Sequence, residues 1–358
     1  GAYLPIMSDE ALIVEKTGSV FLAGSHLVKA AIGEDIDNES LGGSHTHCAI
    51  SGVTDYQCEN DNEAIQIIRE LINSLEKKNN NNFSRIESKP PKKEINEIYG
   101  ILPKDRDTPY EMREILERIV DDSFLREYKS NYGKTLICSY ARIDGWSLGI
   151  IANQRKMEKT GKGEMQLGGV IYSDSSDKAA RFIMNCNQKG IPILFIQDVN
   201  GFMVGSRAEE HGIIKDGAKM VNAMANSTVP KFTLIIGNSF GAGNYAMCGR
   251  AYDPRLILAW PTAKIAVMGG EQASKVLLNL EENKMKKEGK ILNKIEKTKL
   301  LTSIQSKYDA QMSPYYAASR MWIDQIIDPL DTRKYISIGI QSANNNKRND
   351  FKTGVIQT

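Results

Sequence analysis

Gly237-Asn238-Ser239-Phe240-Gly241 fits the G-x-S-x-G pattern of a nucleophile elbow, and it lies between an apolar strand and a helix as such a turn requires. That fold orders its triad serine, acid, histidine along the chain. All four histidines (His26, His45, His47 and His211) precede Ser239, so a hydrolase of that type would lack its base. The overlapping Gly241-Ala242-Gly243-Asn244-Tyr245-Ala246 fits G-x-G-x-x-A, the dinucleotide fingerprint. It needs a carboxylate roughly 20 positions on, at the end of the next strand. The chain has Ala259-Trp260-Pro261-Thr262-Ala263 there. What remains is a small-residue turn at a helix N-terminus after a core strand. Such a turn offers backbone N–H groups to an anionic oxygen, with glycine and alanine allowing close approach. Val199-Asn200-Gly201-Phe202-Met203-Val204-Gly205 is a second turn of this kind, after the strand ending at Gln197. Two adjacent parallel strands ending in such turns would place two donors on one oxygen. The alternative is that these glycines only serve tight turns.

His45-Thr46-His47-Cys48 with Cys58 matches no standard zinc spacing and sits in a glycine-rich stretch. The 5 cysteines form no C-x-x-C pair, and they read as buried reduced thiols of an intracellular protein.

The elements that must position these turns follow from periodicity. Residues 64–78 carry apolar positions at helical spacing and run into Lys77-Lys78-Asn79-Asn80-Asn81-Asn82 and Ser88-Lys89-Pro90-Pro91, a polar connector. Thr108-Pro109 with Glu111 reads as the start of a helix through Ile119. Thr135–Tyr140 and Trp146–Ile151 flank Asp144-Gly145, a two-residue hairpin turn. From there helices (Ser173–Gln188, Glu209–Ala225, Gly241–Cys248) alternate with apolar strands (Ile191–Gln197, Phe232–Ile236, Leu256–Trp260). That alternation predicts α/β architecture, parallel sheets covered by helices. The lysine- and glutamate-rich stretch 281–300 reads as a solvated helical insertion.

An internal repeat organises the chain. Gly1-Ala2-Tyr3-Leu4-Pro5-Ile6-Met7, Leu12-Ile13-Val14 and Val20–Gly24 return in order and spacing as Gly243-Asn244-Tyr245-Ala246-Met247, Leu256-Ile257-Leu258 and Ile265–Gly269. A core strand precedes Gly243 and nothing precedes Gly1, so the first copy is expected to be entered partway through. The 358 residues accordingly divide into 1–78, the remainder of a first domain; 79–104, a linker; and 105–358, a second domain. Lys plus Arg 46 against Asp plus Glu 44 argues against a nucleic-acid partner, and no apolar run reaches the roughly 18 residues of a membrane span.

Gly201-Phe202-Met203-Val204-Gly205, Gly212–Val221, Tyr245–Tyr252 and Ala266–Ala273 resemble the carboxyltransferase (β) subunits of biotin-dependent acyl-CoA carboxylases, the 3-methylcrotonyl-CoA carboxylase branch above all. Leu27–Ala31, Leu41-Gly42-Gly43 with His47, and Trp322–Pro329 extend the match over nearly the whole chain. The resemblance implies duplicated crotonase-like (ClpP/crotonase) domains, each with one backbone oxyanion site. It implies transfer of a carboxyl group from carboxybiotin to methylcrotonyl-, propionyl- or acetyl-CoA: carbon dioxide is released, a ureido nitrogen takes the α-proton, and an enolate forms. By position it assigns the donors to Gly201, Phe202, Ala242 and Gly243, biotin contacts to Gly241, Asn244 and Tyr245, and the surviving acyl-CoA contacts to Gly1 and Ala2. Where relatives have consecutive glycines, this chain has Ala242 then Gly243. The resemblance implies biotin on a separate carrier with no metal in this chain, a biotin carboxylase or biotin carrier partner, and a homo-oligomer from dimer to hexamer. It implies a cytoplasmic location, or the mitochondrial matrix in a eukaryote. Family members are longer, so this chain by itself is not expected to bind CoA normally. A glutaconyl-CoA type decarboxylase subunit and a non-catalytic assembly subunit are the alternatives.

Overall fold

The computed structural model describes residues 2–74, 83–105, 108–287, 294–346, 351–352, 354–356 and 358. In chain order, α1 (Tyr3–Ile6), β1 (Leu12–Val14), β2 (Tyr56–Cys58) and α2 (Asp61–Ser74) form the first unit's frame. The second unit opens with α3 (Met112–Ile119), β3 (Arg126–Tyr128), β4 (Leu136–Ile143) and β5 (Trp146–Asn153). It continues through β6 (Val170–Ile171), α4 (Ser173–Lys189), β7 (Ile193–Val199), β8 (Gly201–Phe202), α5 (Ile213–Ala225), β9 (Lys231–Phe240) and α6 (Gly241–Ala246). The chain then runs β10 (Leu256–Ala259), β11 (Lys264–Ala266), α7 (Gly270–Lys287), α8 (Lys294–Met312), β12 (Gln325–Ile326) and α9 (Thr332–Ala343).

The main sheet has strand order β12-β10-β9-β7-β5-β4-β3, with β11 also on β9. It is parallel from β5 to β12 and antiparallel only through β3, β4 and β5. Buried from both faces, β5, β7 and β9 are apolar over most of their length, as a helix-covered parallel sheet demands. Helix α4 lies directly on β5, since a Cβ on Gly149 would stand 2.5 Å from the Cys186 sulfur. The helix ends at Gly190, whose φ of 72° is the left-handed cap that glycine adopts without strain. The duplication extends beyond the sequence match. β1 pairs parallel with β2 after α1, as β10 pairs parallel with β12 after α6, and α2 and α9 follow the second strand in each copy.

The hairpin turn is as read: Asp144 and Gly145 have φ of 52° and 78°. Their amides donate to the buried Asp121 carboxylate at 2.9 and 2.8 Å, and Arg333 pairs with it at 2.7 Å. Of the expected linker, 79–82 lie outside the described residues, as does the 75–78 end of the expected first helix. Residues 83–104 are docked, because Phe83 and Ile98 enter the common core and Arg85 bridges Trp146. The expected cap at Thr108 is corrected. Helix α3 starts at Met112 with Glu111 as its cap, accepting from the Arg113 amide at 3.1 Å.

Burial alone would raise the Glu111 carboxyl, but hydrogen bonds from Lys156, Gln154 and the Arg113 amide hold it at about 2, below its ordinary 4.5. A carboxylate with a depressed folded pKa contributes stability fully above the unfolded value and loses it as pH falls through the folded one. Urea midpoints of the native chain should therefore fall more steeply between pH 4.5 and about 2 than those of Glu111→Gln.

Candidate functional site

Strands β7 and β9 run side by side, and each ends in one of the small-residue turns. β9 passes into α6 with no intervening residue, and Gly241 makes the change of direction at φ 49°. Its missing Cβ would lie 2.6 Å from the Val267 carbonyl oxygen, so glycine is needed for space as well as for conformation. After β7, Gly201 (φ 139°) and Phe202 form β8, which pairs parallel with Val170-Ile171. The Phe202 ring lies on α5, where a Cβ at Gly217 would be 3.0 Å away, leaving its backbone to shape the turn.

The two turns touch. A Cβ on Gly243 would stand 3.1 Å from the Gly201 Cα and 2.6 Å from the Val199 side chain. Gly241, Ala242 and Gly243 open the helix, so their N–H groups have no carbonyl a turn back. Ala242 is exposed, and the space where a Gly201 Cβ would stand is open to 4 Å. Tyr245 is half exposed and packs edge-on against Tyr252, ring centres 4.6 Å apart.

Side chains missed in the sequence hold these strand ends together. Asp198 accepts from the Asn238 amide at 2.8 Å and from the Tyr110 hydroxyl at 2.8 Å. Asn238 donates to the Asn200 side chain at 2.8 Å. Gln197, Ser239 and Asn244 form a second network. The expected strand ends at Gln197 and Ile236 are corrected to Val199 and Phe240, and the readable signal was the polar pairs Gln197-Asp198 and Asn238-Ser239 closing apolar runs. Ser239 is fully buried, with its hydroxyl donating to Gln197 and accepting from Asn244, which removes it as a nucleophile.

Gly1 lies outside the described residues. Ala2 precedes α1, and by the spacing of the repeat it corresponds to Asn244 within α6. In the His47-Cys48 segment, His47 spends its ring nitrogens on the Val20 carbonyl at 2.5 Å and Ser51 at 3.0 Å. Burial pushes the Cys48 thiol up to about 11, and it contacts the Thr54 hydroxyl.

A chain with two helix-covered parallel repeats and paired glycine turns can be compared with known proteins on those terms. The carboxyl transferase domain model matches residues 1–355. The chain belongs to the carboxyl transferase family. It is 45% identical over 354 residues to the mitochondrial methylcrotonoyl-CoA carboxylase beta chain of Dictyostelium discoideum, covering 99% of this chain and 58% of that protein. It is 43% identical to the biotin-dependent 3-methylcrotonyl-coenzyme A carboxylase beta1 subunit of Mycobacterium tuberculosis, with 95% and 62% covered. Among solved structures, hexameric transcarboxylase 12S superposes with a TM-score of 0.85 at 31% identity, over 99% of this chain and 65% of that one. The beta subunit of Pseudomonas aeruginosa geranyl-CoA carboxylase gives 0.63 at 35%, over 100% and 65%. The chain thus spans about three-fifths of the length of the curated relatives it matches. Among the described residues no helix is long and apolar enough to cross a membrane.

Proposed function

We propose that this chain is part of the carboxyltransferase component of a biotin-dependent acyl-CoA carboxylase, acting on a methylcrotonyl-, propionyl- or acetyl-CoA class substrate. The observation that carries the reading is the contact between the Gly201 and Gly243 turns, with open space beside Gly201. The 45% identity to a methylcrotonoyl-CoA carboxylase beta chain supports the substrate class. The proposed partners are a biotin carboxylase with its biotin carrier and further copies of this chain, in line with the hexameric assembly of transcarboxylase 12S.

Biotin presents a planar urea whose oxygen needs donors and little room, and the space beside Gly201 is open. When bound, it supplies the carboxyl group to be transferred. The Ala242 and Gly243 amides, with those of the Gly201-Phe202 turn, would hold that oxygen as charge gathers on it. Tyr245, half exposed, would flank it, whereas the Asn244 side chain is turned back to Ser239 and Gln197. Donors of this kind are fixed before reaction and need no rearrangement as charge develops, which is why each matters. Serine and histidine have no part in the step, consistent with the buried, committed Ser239. In the first unit, Gly1 and Ala2 are proposed to contact the acyl-CoA.

The test is carboxyl exchange by the protein at the full length its gene encodes. Radiolabel should move from the carboxylate of a malonyl-, methylmalonyl- or 3-methylglutaconyl-CoA to free biotin and be acid-labile there. Absence of transfer with all three thioesters would overturn the assignment.

A further inference from the structure

Helix α6 spans only Gly241–Ala246 and is too short to be stable by itself. Behind it lies a cavity of about 170 Å³ lined by Thr233, Asn244, Gly249, Arg250, Ile257 and Trp322, so close packing does not locate it on that side. Buried hydrogen bonds do. Gln197, fully buried on β7, donates from Nε2 to the Met247 carbonyl at 2.7 Å. Its Oε1 accepts from the Ser239 hydroxyl at 2.6 Å and from Asn244 Nδ2 at 3.5 Å. Asn244 donates in turn to Ser239 at 2.7 Å. Just past the helix, Cys248 adopts a φ of 62°, which a non-glycine residue holds only when its surroundings impose it. Its carbonyl accepts from the Thr233 hydroxyl at 2.7 Å. One amide side chain therefore grips α6 at Asn244 and again at Met247, the residue that ends it.

We propose that Gln197 is the positioning residue of the transfer turn: by holding Ser239 before α6, Asn244 in its second half and Met247 at its end, it sets where the Ala242 and Gly243 amides point. The proposal rests on the function proposed above. Gln197 is fully buried, and its polar partners are confined to α6, the turn that ends it and β9, the strand that leads into it. A residue that merely filled this space would be replaced without loss by methionine, of similar length and volume. Gln197 would not be, because methionine leaves the Met247 carbonyl and the Ser239 hydroxyl buried without it.

Gln197→Met and Gln197→Glu in the full-length protein separate these cases. Loss of an oxyanion donor typically costs 10²–10³ in rate, and a donor that is present but misaimed should cost less, about 30-fold in kcat. For Gln197→Met the KM for acyl-CoA should stay within about twofold, since the lost interactions act only on the transfer step. Amide exchange over 241–248, followed by mass spectrometry, should accelerate at least tenfold or so, while the β4–β5 hairpin stays protected.

Gln197→Glu supplies a readout that a space-filling role would not move. A neutral carboxyl has one O–H donor and one acceptor and reproduces the glutamine pattern, whereas a carboxylate cannot donate to Met247. Burial among uncharged partners raises a carboxyl pKa. The groups it contacts are Ser239 on β9, Asn244 on α6 and the Met247 carbonyl, and the thiol of the next residue, Cys248, is pushed up to about 12 by burial. Asp198 turns to the other face of β7, toward Arg155 and Tyr110. The kcat of Gln197→Glu relative to wild type should therefore rise as pH is lowered from about 8 to about 6, with the Gln197→Met ratio flat. A Gln197→Met protein with unchanged exchange and kcat within about threefold of wild type would overturn the proposal, as would a flat Gln197→Glu ratio. Faster exchange in Gln197→Met beside a wild type that moves no label would retire the proposed function and keep the role of Gln197 in holding α6.

Discussion

Ala242→Pro is expected to abolish carboxyl transfer to free biotin while leaving the protein folded. Ala242 is the second residue of α6, and proline is tolerated in a helix's first turn because the N–H it removes has no partner there. The fold therefore loses little. The site loses one of the donors that the proposed mechanism needs, a change worth about 10²–10³ in rate. Proline also restricts the residue before it, here Gly241 at φ 49°, so the remaining amides are misdirected too. Label transfer to free biotin should drop below detection, with circular dichroism and the thermal midpoint close to wild type. Normal turnover by a folded Ala242→Pro protein would refute the donor assignment.

The largest expected effect on stability lies between the two repeats. Lys129, beside β3, places its ammonium 3.4 Å from the Asp55 carboxylate, with side chains 4% and 2% exposed, and donates to the Gly52 carbonyl. Asp55 also accepts from the Ala11 amide at 2.7 Å. Burial lowers the Lys129 pKa, and the Asp55 charge opposes that shift. Lys129→Met leaves a carboxylate buried without its cation, which typically costs 3–5 kcal/mol, about a third of the stability of an ordinary domain. Urea denaturation should show that loss. Adding Asp55→Asn should recover most of it, because asparagine removes the orphaned charge and keeps an acceptor for Ala11. No recovery would mean that Lys129 acts by packing on Tyr128 and Tyr132, which its ammonium also faces.

The repeat was legible because a strand-to-helix turn constrains residue type wherever it recurs: small residues at the turn, then an apolar strand. Asp144-Gly145 was legible for the same reason, since two consecutive positive φ values exclude most side chains. The second-unit strands and helices were readable from apolar runs that only a doubly covered sheet tolerates. Their ends were not. Gln197, Asp198, Asn238 and Ser239 look like loop residues in one dimension, and become strand only because each finds a polar partner across the neighbouring strand. Ser239 is 42 residues from Gln197 and Asn244 is 47, and no local pattern marks pairs so far apart. The helix cap at Glu111 rather than Thr108 follows likewise from Gln154 and Lys156, distant residues that fix the carboxylate in place. Candidate donors could be named from glycine placement, whereas the contact between Gly201 and Gly243 is a property of the fold.

A structure of the full-length protein with free biotin and CoA bound would test the central claim most directly. The account predicts the ureido oxygen about 2.7–3.1 Å from amide nitrogens at Ala242 or Gly243 and at the Gly201-Phe202 turn. Biotin seated elsewhere, or seated here with its oxygen turned away from both turns, would contradict it.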